Sequence, residues 1–173
     1  MSGPAELFVV ADDLSGAAET AAVLARPGVP ARVVLAGRGR PVPATGGLTV
    51  VDLDSRLAPA EDAARAVRDA VAAAPPSARI VKKIDSLLRG NLAAEIGVLA
   101  ADRPVVLAPA LPVADRVVRG GVVHLSGVPL HETDAWAIEP VPAPTSVAAG
   151  LDGLRTTALG LDAVRRDAAA ALA

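Results

Sequence analysis

Short apolar runs that alternate with helical patterns are the feature that most constrains how this chain can fold. Leu7–Ala11 is a continuous apolar run, which is typical of a strand buried on both faces of a parallel sheet. A helical pattern follows at 17–24 and ends at Pro27-Gly28. The same alternation predicts an α/β fold, a three-layer open and mostly parallel sheet with helices on both faces. Further strands are expected at 31–35, 48–52, 79–84 and 105–108, and further helices from Pro59 and from Gly90-Asn91.

The pattern changes after Asp115, where short strands replace long helices. We expect a short antiparallel β segment around 116–130, because brief apolar runs alternate there with Gly and Pro turns. Thr145-Ser146 is expected to cap a short helical turn, and a strand at 156–161 and a helix at 162–173 are expected to follow. A Gly- and Pro-rich surface loop is expected at 38–47. With 173 residues, the chain is interpreted as one domain, 1–173.

The composition narrows the classes of function. Phe8 and Trp136 are the only aromatic residues, the net charge is −2 and no basic stripe is present, which argues against nucleic-acid binding. Cysteine is absent, so the sequence offers neither disulfides nor thiolate metal sites, and we expect a cytoplasmic location. The sequence shows no signal-peptide pattern and no apolar run long enough to cross a bilayer, so no membrane association is expected.

Polar side chains gather just after three of the predicted strands. Asp12-Asp13 follows the first strand, Asp54-Ser55-Arg56 follows the third, and the polar stretch 81–91 begins within the fourth. Open α/β sheets bind ligands at the carboxyl ends of their strands, where helix N-termini also attract anions. The residues around positions 12, 56 and 85 are therefore expected to meet in one pocket at one edge of the sheet.

The stretch 81–91 combines cations, a carboxylate, a hydroxyl and an amide. It contains Lys82 and Lys83, the only lysines of a chain that otherwise uses arginine, which suggests that one of them, Lys83 in particular, must be a compact ammonium group. The alternative is a solvated strand-to-helix turn with no function. For Asp13 and Ser15, the alternative is simple capping of the following helix.

Two kinds of site are not predicted. His131, Glu132 and Asp134 match no metal-ligand spacing, so no metal is proposed. The sequence contains neither of the common glycine-rich phosphate loops, so no nucleotide site is recognised on this chain. The loop 109–112, which has a proline at each end, is either a wall of the pocket or a plain break between elements.

Several motifs occur in an order that resembles the N-terminal, sugar-binding domain of the four-carbon acid sugar kinases. The most specific is the stretch 82–91, and the Asp-Asp motif would be weak alone. The resemblance covers nearly the whole chain. The motifs are Ala11-Asp12-Asp13-Leu14-Ser15-Gly16-Ala17, Asp52-Leu53-Asp54-Ser55-Arg56, Lys82-Lys83-Ile84-Asp85-Ser86-Leu87-Leu88-Arg89-Gly90-Asn91, Pro109-Ala110-Leu111-Pro112, Arg116, Gly127-Val128-Pro129-Leu130, Thr133 and Ser146.

The resemblance implies a kinase that uses ATP to phosphorylate a tetronate or 3-oxo-tetronate at its terminal hydroxyl. ATP and Mg²⁺ are implied to bind mainly to a C-terminal domain that is absent from this chain, so this domain or chain is an expected partner. Assembly into a homodimer stays open. Leu87 stands where the family usually has Thr, and Ala114-Asp115 stands where it usually has a glycine beside the arginine. The substitution at Leu87 is expected to remove a hydroxyl from the site.

The resemblance and the residue types together give roles to the candidate site residues. Lys83 is expected to steady the transferred phosphoryl group, and Asp12 or Asp85 to orient the attacking hydroxyl. The substrate carboxylate is expected at Arg56, Arg89 or the backbone amides of Gly90 and Asn91. The candidates are, as catalytic residues, Asp12, Lys83 and Asp85, and, as substrate-binding residues, Asp13, Ser15, Arg56, Ser86, Arg89, Gly90, Asn91 and Arg116.

Two other functions stay open. One is a non-catalytic module, derived from the same family, that binds a sugar acid or a partner chain. The other is a generic nucleotide binder, which the lack of a glycine-rich loop argues against.

Overall fold

A computed structural model describes residues 6–36 and 47–172. Most of the predicted surface loop at 38–47 lies outside the described residues. The first part of the chain forms a four-stranded sheet in the order β2-β3-β1-β4, in which each neighbouring pair is parallel. Its elements are β1 (Leu7–Ala11), α1 (Leu14–Leu24), β2 (Ala31–Leu35), β3 (Leu48–Asp52), α2 (Ala60–Ala72), β4 (Arg79–Lys83) and α3 (Leu92–Ala100).

The central strand β1 shows why the apolar runs are continuous. Successive side chains of a strand point to opposite faces. Phe8 and Val10 pack on one face with residues of α2 and α3, whereas Val9 and Ala11 pack on the other with residues of α1. Val9, Val10 and Ala11 are completely buried. The predicted three-layer α/β architecture is therefore confirmed.

A second, antiparallel sheet follows, as predicted for 116–130. It consists of β5 (Arg116–Arg119), β6 (Val122–Leu125) and β7 (Val128–Pro129), in that order. Val123 of β6 and Leu130 join a hydrophobic cluster with Leu87, Leu92 and Ile96. This cluster fixes the small sheet against the segment that links β4 to α3, beside the carboxyl end of the large sheet.

Two predicted strands are wrong. The structure assigns no strand to 105–108, although Val105 and Leu107 are partly buried against the hydrophobic cluster while Val106 is exposed. Apolar packing therefore produces the sequence pattern without any β-ladder. The segment 156–161 is also not a strand: residues 156–160 are exposed without regular structure, and Leu161 begins a helix.

The predicted C-terminal helix is divided in two. It forms α4 (Leu161–Arg166) and α5 (Ala168–Leu172), separated by Asp167 in an extended conformation. Ser146 Oγ accepts the backbone N–H of Ala149 at 3.0 Å, as expected of a residue before a helical turn, but the N-cap of the short 3₁₀ turn that begins at Ala149 is Ala148. None of the helices within 6–36 and 47–172 is long and apolar enough to cross a bilayer.

Candidate functional site

Three turns meet at the carboxyl edge of the large sheet, and the small sheet approaches them from one side. They surround an open pocket of about 530 Å³. The turn after β1, the turn after β3 and the segment after β4 each contribute polar side chains to it. The predicted site residues that line the pocket are Asp13, Ser15, Arg56, Lys83, Asp85, Ser86, Arg89 and Arg116.

Arg56 joins two aspartates of the first turn. Its Nε donates to Asp12 Oδ2 and its Nη1 contacts Asp13 Oδ2, both at 2.7 Å. The other oxygen of Asp13 accepts the backbone N–H of Gly16 at 2.7 Å, so Asp13 is the N-cap of α1, as predicted. Burial alone would lower the pKa of Arg56, but the hydrogen bond to Asp12 and the charges of Asp12 and Asp13 raise it above its usual value.

The segment after β4 contains a second pair of the same kind. Arg89 donates from Nε to Asp85 Oδ2 at 2.7 Å and from Nη2 to Asp85 Oδ1 at 3.1 Å, and its backbone N–H also reaches Oδ2. Burial tends to raise the pKa of Asp85, yet the hydrogen bonds and charge of Arg89 hold it below its usual value. The carboxylate is therefore ionised and fixed at neutral pH.

Lys83 extends from the end of β4 toward the start of α1. Its Nζ donates to the backbone carbonyl of Ile84 at 3.1 Å and lies 3.6 Å from Glu19 of α1. The side chain of Lys83 is about one third exposed, with a relative accessibility of 30%. An ammonium group in this position can approach a ligand in the pocket.

Arg116 differs from the other pocket cations. Its Nη1 donates to the neutral hydroxyl of Ser86 at 2.6 Å, and it forms no ion pair with a carboxylate among residues 6–36 and 47–172. Its Nε is buried and has no hydrogen-bond partner in the part of the chain that the structure describes. The preceding residue, Asp115, has a left-handed backbone with φ of 52°, a conformation that favours glycine and is tolerated by aspartate. Arg116 is thus a guanidinium whose charge no carboxylate of the described residues neutralises.

Three predicted residues do not line the pocket. Asp12 is only 3% exposed and lies behind Arg56. Gly90 packs closely there, since a Cβ at this position would meet Asp12 Oδ2 and Arg56 Cγ at 3.3 Å, and its φ of +84° also favours glycine. Asn91 uses its side-chain amide to donate to the carbonyls of Ser55 and Ala58, at 2.8 and 2.9 Å. These residues shape the turn that carries Arg56.

Leu87 does not remove a hydroxyl from the pocket, and the expectation that it would is wrong. Its side chain is 5% exposed and belongs to the hydrophobic cluster beneath the small sheet. Its backbone carbonyl accepts the indole N–H of Trp136 at 2.8 Å. The neighbouring Leu88 has a left-handed backbone with φ of 63°, so this turn departs from a regular strand or helix path.

Sequence reasoning missed some of the pocket. Glu19 lines it because it lies one helical turn after Ser15 in α1, a spacing that could have been noticed. Gly16, Leu111 and Ala114 also line it. Behind the pocket, Lys82, one of the two lysines that the sequence singles out, forms a buried ion pair with Glu95, which was not predicted.

No group of three or more His, Cys, Asp or Glu side chains that could hold a metal ion occurs in the described part of the chain. A larger open groove of about 860 Å³ lies along β4 and α3, but its lining is mostly apolar. The smaller polar pocket offers cations and hydrogen-bond acceptors at short range, which suits a small anion that also carries hydroxyls.

Comparison with known proteins agrees with this chemistry. Residues 7–171 match a family model described as a sugar-binding N-terminal domain. A D-threonate kinase of Cupriavidus necator is 40% identical over 165 residues, which are 91% of this chain and 39% of that protein. A D-threonate kinase of Salmonella typhimurium is 36% identical over 141 residues, 78% of this chain and 33% of the relative. The chain thus spans about two fifths or less of the length of these relatives.

A solved structure has the same fold. A protein from Bordetella bronchiseptica, crystallised as a domain-swapped dimer with bound citrate, is 34% identical and superposes with a TM-score of 0.71. The match covers 98% of this chain and 46% of that one.

Proposed function

This chain belongs to the sugar-binding N-terminal domain family, and we propose that it is the substrate-binding domain of an ATP-dependent kinase that phosphorylates the terminal hydroxyl of a four-carbon sugar acid. The D-threonate kinases among its relatives support a sugar acid as the ligand. A tetronate is the preferred class because its carboxylate, inner hydroxyls and terminal hydroxyl match the groups of the pocket.

The observation that carries this proposal is the charge arrangement of the pocket. Arg56, Arg89 and Lys83 each have an acidic neighbour, whereas Arg116 does not within the described residues. An uncompensated guanidinium next to the hydroxyl of Ser86 is a suitable anchor for a carboxylate. We therefore place the carboxylate of the sugar acid at Arg116 and Ser86, and not at Arg56, Arg89 or the backbone amides of Gly90 and Asn91 as the sequence suggested.

The hydroxyls of the ligand would face the acidic side of the pocket. A carboxylate oxygen has two lone pairs, so Asp13 and Asp85 can each accept a ligand hydroxyl while they keep their arginine partners. Asp85 is the better candidate to orient the attacking hydroxyl, because it lines the pocket and Asp12 does not. Lys83 would then lie near the terminal end of the ligand, where an ammonium group can neutralise charge on a transferred phosphoryl group.

ATP and Mg²⁺ are proposed to bind outside this chain. The sequence has no glycine-rich phosphate loop, and the described residues hold no cluster suited to a metal. The contribution of this chain is therefore to bind the acid, to fix its orientation and to hold the attacking hydroxyl in place. Phosphoryl transfer depends largely on such positioning.

Isothermal titration calorimetry tests the binding step. We expect D-threonate or D-erythronate to bind with one molecule per chain, and threitol, which lacks the carboxylate, to bind much more weakly. ATP alone is expected to cause no thermal shift. Absence of heat with every tetronate, in protein whose folding is shown by circular dichroism, would count against the proposal.

The second candidate is a non-catalytic module that binds a sugar acid or a partner chain. The lack of a recognisable nucleotide site on this chain favours it. A mixture of this chain with an ATP-binding domain encoded nearby distinguishes the two. Consumption of ATP that depends on a tetronate supports the kinase, and acid binding without ATP consumption supports the module.

We also propose that this chain associates with a second copy of itself. The Bordetella bronchiseptica protein forms a domain-swapped dimer, which supports a homodimer for this family member as well. Light scattering coupled to gel filtration would give the mass of the species in solution. A mass of one chain at all concentrations would argue against the homodimer.

A further inference from the structure

A buried polar connection lies directly behind the pocket and contains no residue that lines it. Lys82 Nζ of β4 contacts Glu95 Oε2 of α3 at 2.9 Å, and each side chain is 3% exposed. The other oxygen of Glu95, Oε1, accepts a hydrogen bond from Ser55 Oγ at 2.5 Å. Lys82 also donates to the carbonyl of Lys83 at 2.9 Å. The connection Lys82–Glu95–Ser55 thus links a strand, a helix and the turn after β3.

Burial of such a pair is expensive in free energy. Removing two charges from water costs more than their attraction usually returns, so apolar residues of similar size often stabilise a fold as well or better. Buried pairs are retained in some proteins because they specify one geometry. Both oxygens of Glu95 have partners, and one of these partners belongs to the turn that carries Arg56.

Ser55 is held from several sides. Its hydroxyl donates to Glu95, its backbone N–H donates to the carbonyl of Asp12 at 3.0 Å, and its own carbonyl accepts the amide of Asn91 at 2.8 Å. Only 2% of Ser55 is exposed. The next residue, Arg56, belongs to the same turn, and its backbone N–H donates to the same carbonyl of Asp12 at 3.1 Å.

We infer that Glu95 is a positioning residue of the acid-binding pocket: through Ser55 it fixes the turn that aims Arg56 at Asp12 and Asp13. This inference rests on the proposed function for its effect on ligand binding, but its structural part can be measured without a ligand. Glu95 is not among the residues that line the pocket. Its effect passes through the orientation of one guanidinium.

Two variants interrupt the connection at different points. Ser55→Ala removes the hydroxyl and keeps the Lys82–Glu95 pair. Glu95→Gln keeps a side chain of the same shape and removes its charge. Glu61→Gln, on the exposed face of α2 with a side-chain accessibility of 91%, is the matched control.

Nuclear magnetic resonance of isotope-labelled protein supplies a specific readout. Arg56 and Arg89 each donate an Nε–H to an aspartate at 2.7 Å, so both signals should be shifted and slow to exchange with solvent. Arg89, whose partner is Asp85 and not Asp12, is an internal control. We expect Ser55→Ala and Glu95→Gln each to increase the exchange rate of the Arg56 signal and to leave that of the Arg89 signal unchanged. We also expect each variant to weaken D-threonate binding by about tenfold. Glu61→Gln should change none of the three.

The outcomes separate this inference from the proposed function. An unchanged exchange rate of the Arg56 Nε–H in folded Ser55→Ala protein overturns the inference. An equal increase in the exchange rates of the Arg56 and Arg89 signals also overturns it, because it indicates general loosening of the fold. If Glu95→Gln does not fold, Ser55→Ala decides alone. If the Arg56 signal responds as expected but the unmodified chain binds no tetronate, the positioning role stands and the proposed function fails.

Discussion

The Nε of Arg56 donates to Oδ2 of Asp12 at 2.7 Å, although the two residues lie 44 positions apart in the sequence. The contact joins the turn after β3 to the turn after β1, next to two backbone hydrogen bonds that end on the carbonyl of Asp12. β1 and β3 are parallel neighbours, so their carboxyl ends are adjacent. The strand order of the sheet therefore determines which turns meet at the pocket.

Replacement of Gly90 by alanine should weaken tetronate binding more than replacement of Gly28 by alanine. Both Gly90 and Gly28 have a left-handed backbone, with φ of +84° and +78°, so either Gly→Ala change should cost about 1–2 kcal/mol of stability. Among the described residues, a Cβ at Gly28 meets nothing within 4 Å, whereas one at Gly90 meets Asp12 and Arg56 at 3.3 Å. Gly90→Ala is expected to weaken tetronate binding, and Gly28→Ala is not. Equal affinities in calorimetry would show that the close contact has no role.

Replacement of Leu87 by threonine should lower stability without a gain in binding. Leu87 is buried in the hydrophobic cluster, so the smaller side chain and its hydroxyl should cost about 2 kcal/mol in urea unfolding. Leu57→Thr, at a position that is 89% exposed, is the control and should change little. Tighter D-threonate binding by the Leu87→Thr variant would instead mean that this side chain reaches the pocket.

Replacement of Arg116 by glutamine should selectively remove recognition of the carboxylate. We expect affinity for D-threonate to fall by about a hundredfold, because a charge-assisted contact is lost, while the weak binding of threitol stays the same. Arg119→Gln, at the exposed end of the same strand, should leave both affinities unchanged. An equal loss for threonate and threitol would place the carboxylate elsewhere.

Two buried carboxyl groups should change stability with pH in opposite directions. Arg89 lowers the pKa of Asp85 in the folded state despite burial, so its stabilising contribution is present above the usual value of 3.8 and is lost as the pH falls through the lowered pKa. Burial raises the pKa of Asp52, with help from the charges of Asp54, Asp13 and Asp12 and against the backbone hydrogen bond from Asp54. The ionised Asp52 therefore lowers stability at neutral pH, and protonation relieves this as the pH falls.

Unfolding curves at neutral and acidic pH check these signs. Asp85→Asn is expected to be less stable than the unmodified chain at pH 7, and the difference should shrink in acid. Asp52→Asn keeps an acceptor for the backbone of Asp54, so it is expected to be more stable at pH 7, with a difference that also shrinks in acid. The same sign for both variants at pH 7 would contradict the assigned causes.

The sequence predicted the parts of the fold that local patterns determine. Buried runs such as Leu7–Ala11 and the helix cap at Asp13 depend on residues close in sequence, so their positions were found. Whether an apolar run pairs with a neighbouring strand depends on distant residues, and 105–108 shows the same pattern without pairing. Strand pairing therefore needed the structure.

The candidate site shows a similar division. The positions of the strand ends indicated that Asp13, Arg56 and Asp85 meet in one pocket, because parallel strands bring their carboxyl ends together. Individual side-chain directions could not be predicted. The left-handed backbone of Leu88 helps to explain why Leu87 packs in the core. Glu95 is buried, whereas acidic residues are usually exposed.

A crystal structure of this chain with D-threonate tests the central claim most directly. We expect ligand density in the polar pocket, with the carboxylate at Arg116 and Ser86 and the hydroxyls facing Asp13 and Asp85. Density in the apolar groove beside β4 and α3, or an empty polar pocket at saturating D-threonate, would contradict it.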